Sequence, residues 1–154
     1  MLPKMNELAP AFELPDDTGK MHKLSEYKGK TVVLYFYPED GTDGCTTEAC
    51  NFRDDYSEYQ KAGITILGVS PDTVKSHQKF KSKYDLNFPL LADEGHVVCE
   101  KYGVWGLKNN FGREYMGVKR TTFLIGPDGK IKKVYENVKP ADHSKEILAD
   151  ITAK

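Results

Sequence analysis

The chain lacks a dominant charge: 22 Lys and Arg stand against 23 Asp and Glu, for a formal balance of −1 over 154 residues. Such a balance argues against nucleic acid or an anionic membrane as partner, since both are held by clustered excess cations. Arginine is scarce, limited to Arg53, Arg113 and Arg120. No apolar run approaches the roughly 18 residues of a membrane-spanning helix. The opening MLPKMNELAP has no apolar stretch of the signal-peptide kind. The chain is therefore expected to be soluble, unprocessed and cytoplasmic. Three cysteines are too few and too odd in number for a disulfide framework, so their spacing becomes the question. Repeats, low-complexity tracts and linkers are also missing. What is present, 39% hydrophobic and 29% charged residues, suffices for a core, and a chain of this size buries roughly 70% of its unfolded surface. One domain over residues 1–154 is expected.

The order of elements is legible from periodicity. Phe12 to Leu24 reads as a small hairpin around Asp16-Asp17-Thr18-Gly19. Thr31 to Tyr37 is an unbroken run of β-branched and aromatic residues, which suits a strand covered on both faces, and Pro38 stops it. From Cys45 the period changes: Cys45, Ala49, Phe52, Tyr56 and Tyr59 form one helical stripe that Gly63 ends. Ile64 to Val69 is a second buried strand, and Ser70-Pro71 predicts a cap and first turn for a helix to about Tyr84. Thr121–Ile125 and Ile131–Tyr135 flank the hairpin turn Pro127-Asp128-Gly129-Lys130. A last helix spans Asp142 to Ile151. Together these predict an α/β sandwich with mixed strand directions.

Cys45 follows a buried strand and a short loop, heads a helix, and lies on that helix's inward stripe. The thiolate is the reactive form of cysteine, and unpaired N–H groups at a helix start stabilise it. Position alone leaves two readings open, a reactive thiol or an inert core one. Cys50 is five residues on, a rise of about 7.5 Å and a turn of about 140°, which puts the two Cα atoms roughly 8.6 Å apart. A disulfide spans less than about 7 Å. The pair is either a helical coincidence or a redox couple that works only when the helix start unwinds.

The segment Pro38-Glu39-Asp40-Gly41-Thr42-Asp43-Gly44-Cys45 fits the pattern P-x-x-x-T-x-x-C, and Cys45-Thr46-Thr47-Glu48-Ala49-Cys50 extends the likeness. So do Ala9-Pro10-Ala11-Phe12, Leu67-Gly68-Val69-Ser70, Tyr102-Gly103-Val104-Trp105-Gly106 and Arg120-Thr121-Thr122-Phe123-Leu124-Ile125. Over nearly its whole length the chain resembles the peroxiredoxins, in particular their bacterioferritin comigratory protein (PrxQ) branch. The resemblance implies a thioredoxin-like fold and a thiol-dependent peroxidase with no cofactor or metal. It implies a peroxidatic Cys45, a Thr42 hydroxyl on the peroxide, and Pro38 shielding the sulfur. Arg120 would hold the thiolate and the developing oxyanion. Glu48 would orient an arginine in the pocket, or else be only an acid near a helix start. Cys50 would resolve the sulfenic acid as an intramolecular disulfide, which a thioredoxin-like donor reduces, so a monomer is expected.

One position departs from the pattern: Asp43 stands where the family usually has Pro. A carboxylate facing the thiolate would oppose its ionisation, whereas Asp43 as the helix cap would cost little; the cap is the expectation. Two other functions compete. Cys45, Cys50, His96 and Cys99 would make a Cys3His zinc module, although ligands five apart on a helix diverge. Otherwise Cys99 is a core thiol on a short helix, and Trp105 borders the pocket or packs in the core. A thioredoxin-like protein disulfide oxidoreductase would share the fold, but carries C-x-x-C and a Pro where this chain has Thr121.

Overall fold

The computed structural model describes residues 2–152, and its centre is β3 (Thr31–Phe36). Val32, Leu34 and Phe36 join the core on one side of the sheet, while Val33, Tyr35 and the following Tyr37 join the core on the other. All six are at most 1% exposed. Each contributes about 1.5–3 kcal/mol by leaving water, which no edge position would provide. β3 accordingly lies in the middle of a five-stranded sheet. On one flank β4 (Ile64–Ser70) runs parallel to it, with β5 (Leu90–Ala92) parallel beyond. On the other, β8 (Thr121–Ile125) is antiparallel to β3, and β9 (Ile131–Tyr135) to β8.

Helices cover the Val33 face: α1 (Asp43–Asp54), α2 (Tyr56–Lys61), α3 (Val74–Tyr84) and α5 (His143–Thr152) supply Phe52, Tyr59, Phe80 and Ile147 to that core. The opposite face is covered by α4 (Val97–Lys101) and by the hairpin of β1 (Glu13–Pro15) and β2 (Met21–Lys23), through Leu14 and Val98 with their neighbours Phe12 and Tyr102. This is the expected mixed α/β sandwich of thioredoxin type.

Three local expectations change. The single helix after Cys45 is two, broken at Asp55, whose backbone leaves the helical region at φ −94°, ψ 3°. Its buried carboxylate accepts from Ser144 Oγ (2.8 Å) and Lys145 Nζ (2.7 Å) on α5, a tertiary tie that outweighs helix continuity. The cap of α3 is Thr73, whose Oγ1 accepts from Ser76 N at 3.0 Å, while Ser70 ends β4. Finally, β5 and the hairpin of β6 (Trp105–Asn110) and β7 (Arg113–Val118) were not apparent in the sequence pattern. That hairpin is largely exposed, so no buried face imposes alternation. Its turn uses Phe111 and Gly112, both at positive φ, in place of the usual Asn-Gly or Asp-Gly.

Candidate active site

Backbone chemistry starts the site. Tyr37 N still donates to Val69 O (3.0 Å), but Pro38 has no N–H and the chain leaves the sheet. It returns at Thr42, whose extended backbone caps α1, so Cys45 is the third residue of the helix, among N–H groups without intrahelical acceptors. Its side chain is 1% exposed and shares the core with Ala49 and Phe52, the stripe expected from spacing. The register Phe36↔Thr121 sets the start of β8 opposite the end of β3. Arg120, one residue earlier, reaches the α1 side. Its Nη2 donates to Cys45 Sγ at 3.3 Å and its Nη1 to Glu48 Oε1 at 2.7 Å. The approach is close at Gly44, where a Cβ would lie 3.2 Å from Arg120 Nη2 and 3.5 Å from Pro140 Cγ and would push the guanidinium by a few tenths of an ångström.

The electrostatics are set by burial of the charged groups. Burial pushes the Glu48 carboxyl up to about 7, against the charge and hydrogen bond of Arg120. Burial pulls Arg120 down, but Glu48 and the sulfur of Cys45 outweigh it and hold the guanidinium above its ordinary value. Glu48 is thus a buried partner of Arg120, not a solvated acid at a helix start. Its Oε2, like Thr46 Oγ1, has no hydrogen-bond partner among the described residues. Lys108 of β6 adds a second cation, lowered by burial and by Arg120 and raised in part by Cys45. Its Nζ donates to Val118 O at 3.0 Å, and its stem passes over Gly117, where a Cβ would meet Lys108 Cδ at 3.2 Å.

The loop before Cys45 is tied down through Asp40. Tyr37 Oη donates to Asp40 Oδ1 (2.6 Å), Ser76 Oγ to Oδ2 (2.8 Å), and Asp40 N donates to Asp72 Oδ2 (2.9 Å). His77, fully buried, sits between Asp40 Oδ2 (2.6 Å) and the Leu91 carbonyl (2.9 Å). Both neighbours are acceptors, which favours a proton on each ring nitrogen. Burial opposes that charge, yet Asp40 and the Leu91 carbonyl hold His77 above its ordinary value.

A cleft of about 440 Å³ opens beside this loop, bounded by Pro38, Thr42, Trp105, Lys108, Met116 and Val118 among others. Thr42 Oγ1 donates to Glu39 O (3.1 Å) and makes no cap bond to the helix. Pro38 is half-buried and Thr42 exposed at the mouth. Asp43 is neither cap nor pocket residue; it is the exposed first residue of α1. Cys50 is half-buried, one helical turn and more beyond Cys45 on the same unbroken helix. Cys99 is a core thiol of α4, pushed up by burial and by Asp93. It belongs to the core on the opposite side of the sheet from Cys45, which removes the zinc module. His96 instead stacks on half-buried Trp105, 3.9 Å between ring centres, and bonds Glu100 at 2.9 Å. Of the residues that build this site, sequence reasoning missed Gly44, Asp40, His77 and Lys108. Each acts across the tertiary structure, and only Asp40 and Gly44, inside the cysteine motif, carried any local signal.

The sequence model of the AhpC/TSA family matches residues 5–134. The chain belongs to that family. Within it, the chain is similar to peroxiredoxin Bcp of Bacillus subtilis, 50% identical over 94% of this chain and 92% of that one. Against peroxiredoxin Bcp of Escherichia coli the identity is 44%, over 94% and 93%. Among solved structures it is similar to peroxiredoxin Q of Xanthomonas campestris, with a TM-score of 0.87 and 39% identity over 92% of this chain and 90% of the other. Complexes of the X. campestris bacterioferritin comigratory protein concern its alkyl peroxide reduction activity. The AhpC/TSA member described here is a thiol-dependent peroxidase of thioredoxin fold, an activity that uses a peroxide and a reductant.

Proposed function

We propose that Cys45 is the thiol that attacks the peroxide, and the observation that carries this is the guanidinium of Arg120, 3.3 Å from the sulfur and fixed from behind by Glu48. The Cys45 thiolate attacks the terminal peroxide oxygen, the O–O bond breaks, and the sulfur becomes a sulfenic acid while the leaving oxygen takes up a proton. Charge moves from sulfur to the leaving oxygen, and a fixed cation beside both stabilises that transfer without reorganising. The Thr42 hydroxyl donates its hydrogen bond to Glu39 O, which leaves its lone pairs to accept from the peroxide O–H. Pro38 covers the sulfur from water on the loop side. The cleft is lined by Pro38 and Thr42 but not by Cys45 or Arg120; Trp105, Met116 and Val118 among its walls are apolar surface that suits organic hydroperoxides as well as hydrogen peroxide, and the activity of the X. campestris relative supports that reading.

Cys50 then attacks the sulfenic sulfur, expelling water and leaving a Cys45–Cys50 disulfide, which a thioredoxin-type dithiol reduces. Both thiols lie on one helix, so the cycle requires no second chain. We assign the function to a single-domain cytoplasmic monomer. The test is peptide mapping after one equivalent of hydroperoxide, with turnover measured in Cys45→Ser and Cys99→Ser. A Cys45–Cys50 bridge, no turnover in the first variant and nearly full turnover in the second are expected; a Cys45–Cys99 bridge or an active Cys45→Ser overturns the assignment.

A further inference from the structure

Helix α3 carries Lys75, Lys79, Lys81 and Lys83 and no acidic residue, in a chain whose overall charge is −1. Lys81 is spent on Asp17, 3.3 Å away. Lys75, Lys79 and Lys83 are exposed, and their four-residue spacing aligns them as a ridge along one face. None of the three has an acidic partner within ion-pair distance among the described residues. Like charges at that spacing oppose a helix, and Lys75 in the first turn also opposes the helix dipole. Lys83 in the last turn suits the helix dipole, but helix stability gives no reason for Lys75 and Lys79.

The location of the ridge does. The three lysines line one shallow cleft of about 440 Å³ together with Asp40 and Gly41, the loop that leads into Cys45. At the other end of α3, Arg53 Nη1 donates to Tyr84 O at 2.6 Å. Arg53 is one turn after Cys50 on the same side of α1. The ridge thus meets the Cys45 loop at Gly41, and the end of α3 meets α1 at Arg53. Arg53 itself is engaged by Asp54, so among the described residues the charge here without an acidic partner is that of the three lysines, with Lys83 Nζ 5.4 Å from the centre of the Tyr84 ring.

We propose that the Lys75, Lys79 and Lys83 ridge is the docking surface for the protein that reduces the Cys45–Cys50 disulfide, a dithiol protein with an acidic rim around its attacking thiol. The proposal rests on the intramolecular disulfide assigned above. In the step it serves, the partner's thiolate attacks one sulfur of the bridge and the other sulfur leaves and takes a proton. The partner's second thiol then displaces the mixed disulfide. Two electrons and two protons reach Cys45 and Cys50, and the partner leaves as a disulfide. A cationic ridge beside the bridge both orients an acidic rim and favours the approach of an anionic thiolate.

The experiment uses an acidic thioredoxin kept reduced by its reductase, with dithiothreitol as a dithiol that has no rim to dock. In the triple variant Lys75→Glu, Lys79→Glu, Lys83→Glu, reduction by the thioredoxin should slow at least about tenfold at low salt, the range expected for lost steering. Its salt dependence should also flatten. Turnover with dithiothreitol and the single-turnover reaction with peroxide should match the wild type. A thioredoxin with its rim acids changed to lysine should prefer the triple variant. Equal rates and equal salt slopes for wild type and variant would overturn the proposal, and so would a flat salt profile in the wild-type protein, a readout that needs no variant to fold. Failure of the underlying disulfide assignment looks different: the wild type then shows no Cys45–Cys50 bridge after peroxide.

Discussion

Arg120 is held at two points, Cys45 on one nitrogen and Glu48 on another, and only a planar fork reaches both. A flexible ammonium meets one partner at a time. Arg120→Met is therefore expected to lower the second-order rate with hydroperoxide by about 10²-fold, the cost of one preorganised donor, and Arg120→Lys to recover little of it. Slower alkylation of Cys45 by iodoacetamide at neutral pH in the Met variant would show that the thiolate itself has lost support; an unchanged alkylation rate would place the role of Arg120 elsewhere. Glu48 acts through Arg120 and is a positioning residue. Its carboxyl stands at about 7, so the wild-type rate should change through that range as the arginine gains or loses its anchor. The rate profile of Glu48→Gln should be flat there, which a merely structural substitution would not produce.

At the scale of the element, α1 must do two incompatible things. It is continuous through Cys45 and Cys50, and two positions five apart on such a helix are separated by about 8.6 Å, beyond the roughly 7 Å a disulfide spans. The first turns also bury Glu48 Oε2 and Thr46 Oγ1, neither of which has a hydrogen-bond partner among the described residues. Oxidation with one equivalent of peroxide should reduce the helical circular dichroism signal and speed amide exchange over residues 45–52, both reversed by reductant. A bridge formed with neither change would contradict this account. Asp43 tests the start of the same helix. As the first helical residue it occupies the position where Pro is best tolerated. Asp43→Pro should leave the peroxide rate near the wild-type value and raise stability by up to about 1 kcal/mol, read as a higher thermal midpoint.

The whole molecule is joined through the Asp40 and His77 network, which fastens the cysteine loop to α3 and to β5. His77 is held above its ordinary value in the folded chain. Its contribution to stability is therefore complete below the unfolded value of about 6.5 and is lost as pH rises through the folded value. The thermal midpoint should fall over that upper range in the wild type, and the fall should be absent in His77→Gln. That variant leaves Asp40 without its cation and should be destabilised by about 3–5 kcal/mol at neutral pH, the usual cost of breaking a buried pair. A wild-type midpoint that is level across the range would mean that His77 does not titrate with folding.

What the sequence determined by itself was whatever repeats locally: the fully buried run of β3, the stripe of Cys45, Ala49 and Phe52, the turn at Pro127 to Lys130, and the cysteine at the head of its helix. These follow from periods of 2 and 3.6 and from turn chemistry, which neighbouring residues impose on one another. The tertiary structure decided the rest. It broke the long helix at Asp55 to satisfy Ser144 and Lys145, and it made Thr73 the cap of α3. The β6 and β7 hairpin, too exposed to carry an alternating pattern, took its shape there as well. The site is divided in the same way. Cys45 is marked by its own surroundings, whereas Arg120 enters a sequence reading only through a family likeness. Their separation of 75 positions closes to 3.3 Å because β8 pairs antiparallel with β3 in one register. Cys99, by contrast, is carried to the far side of the same sheet. Local chemistry sets which groups can react, and strand register sets which of them meet.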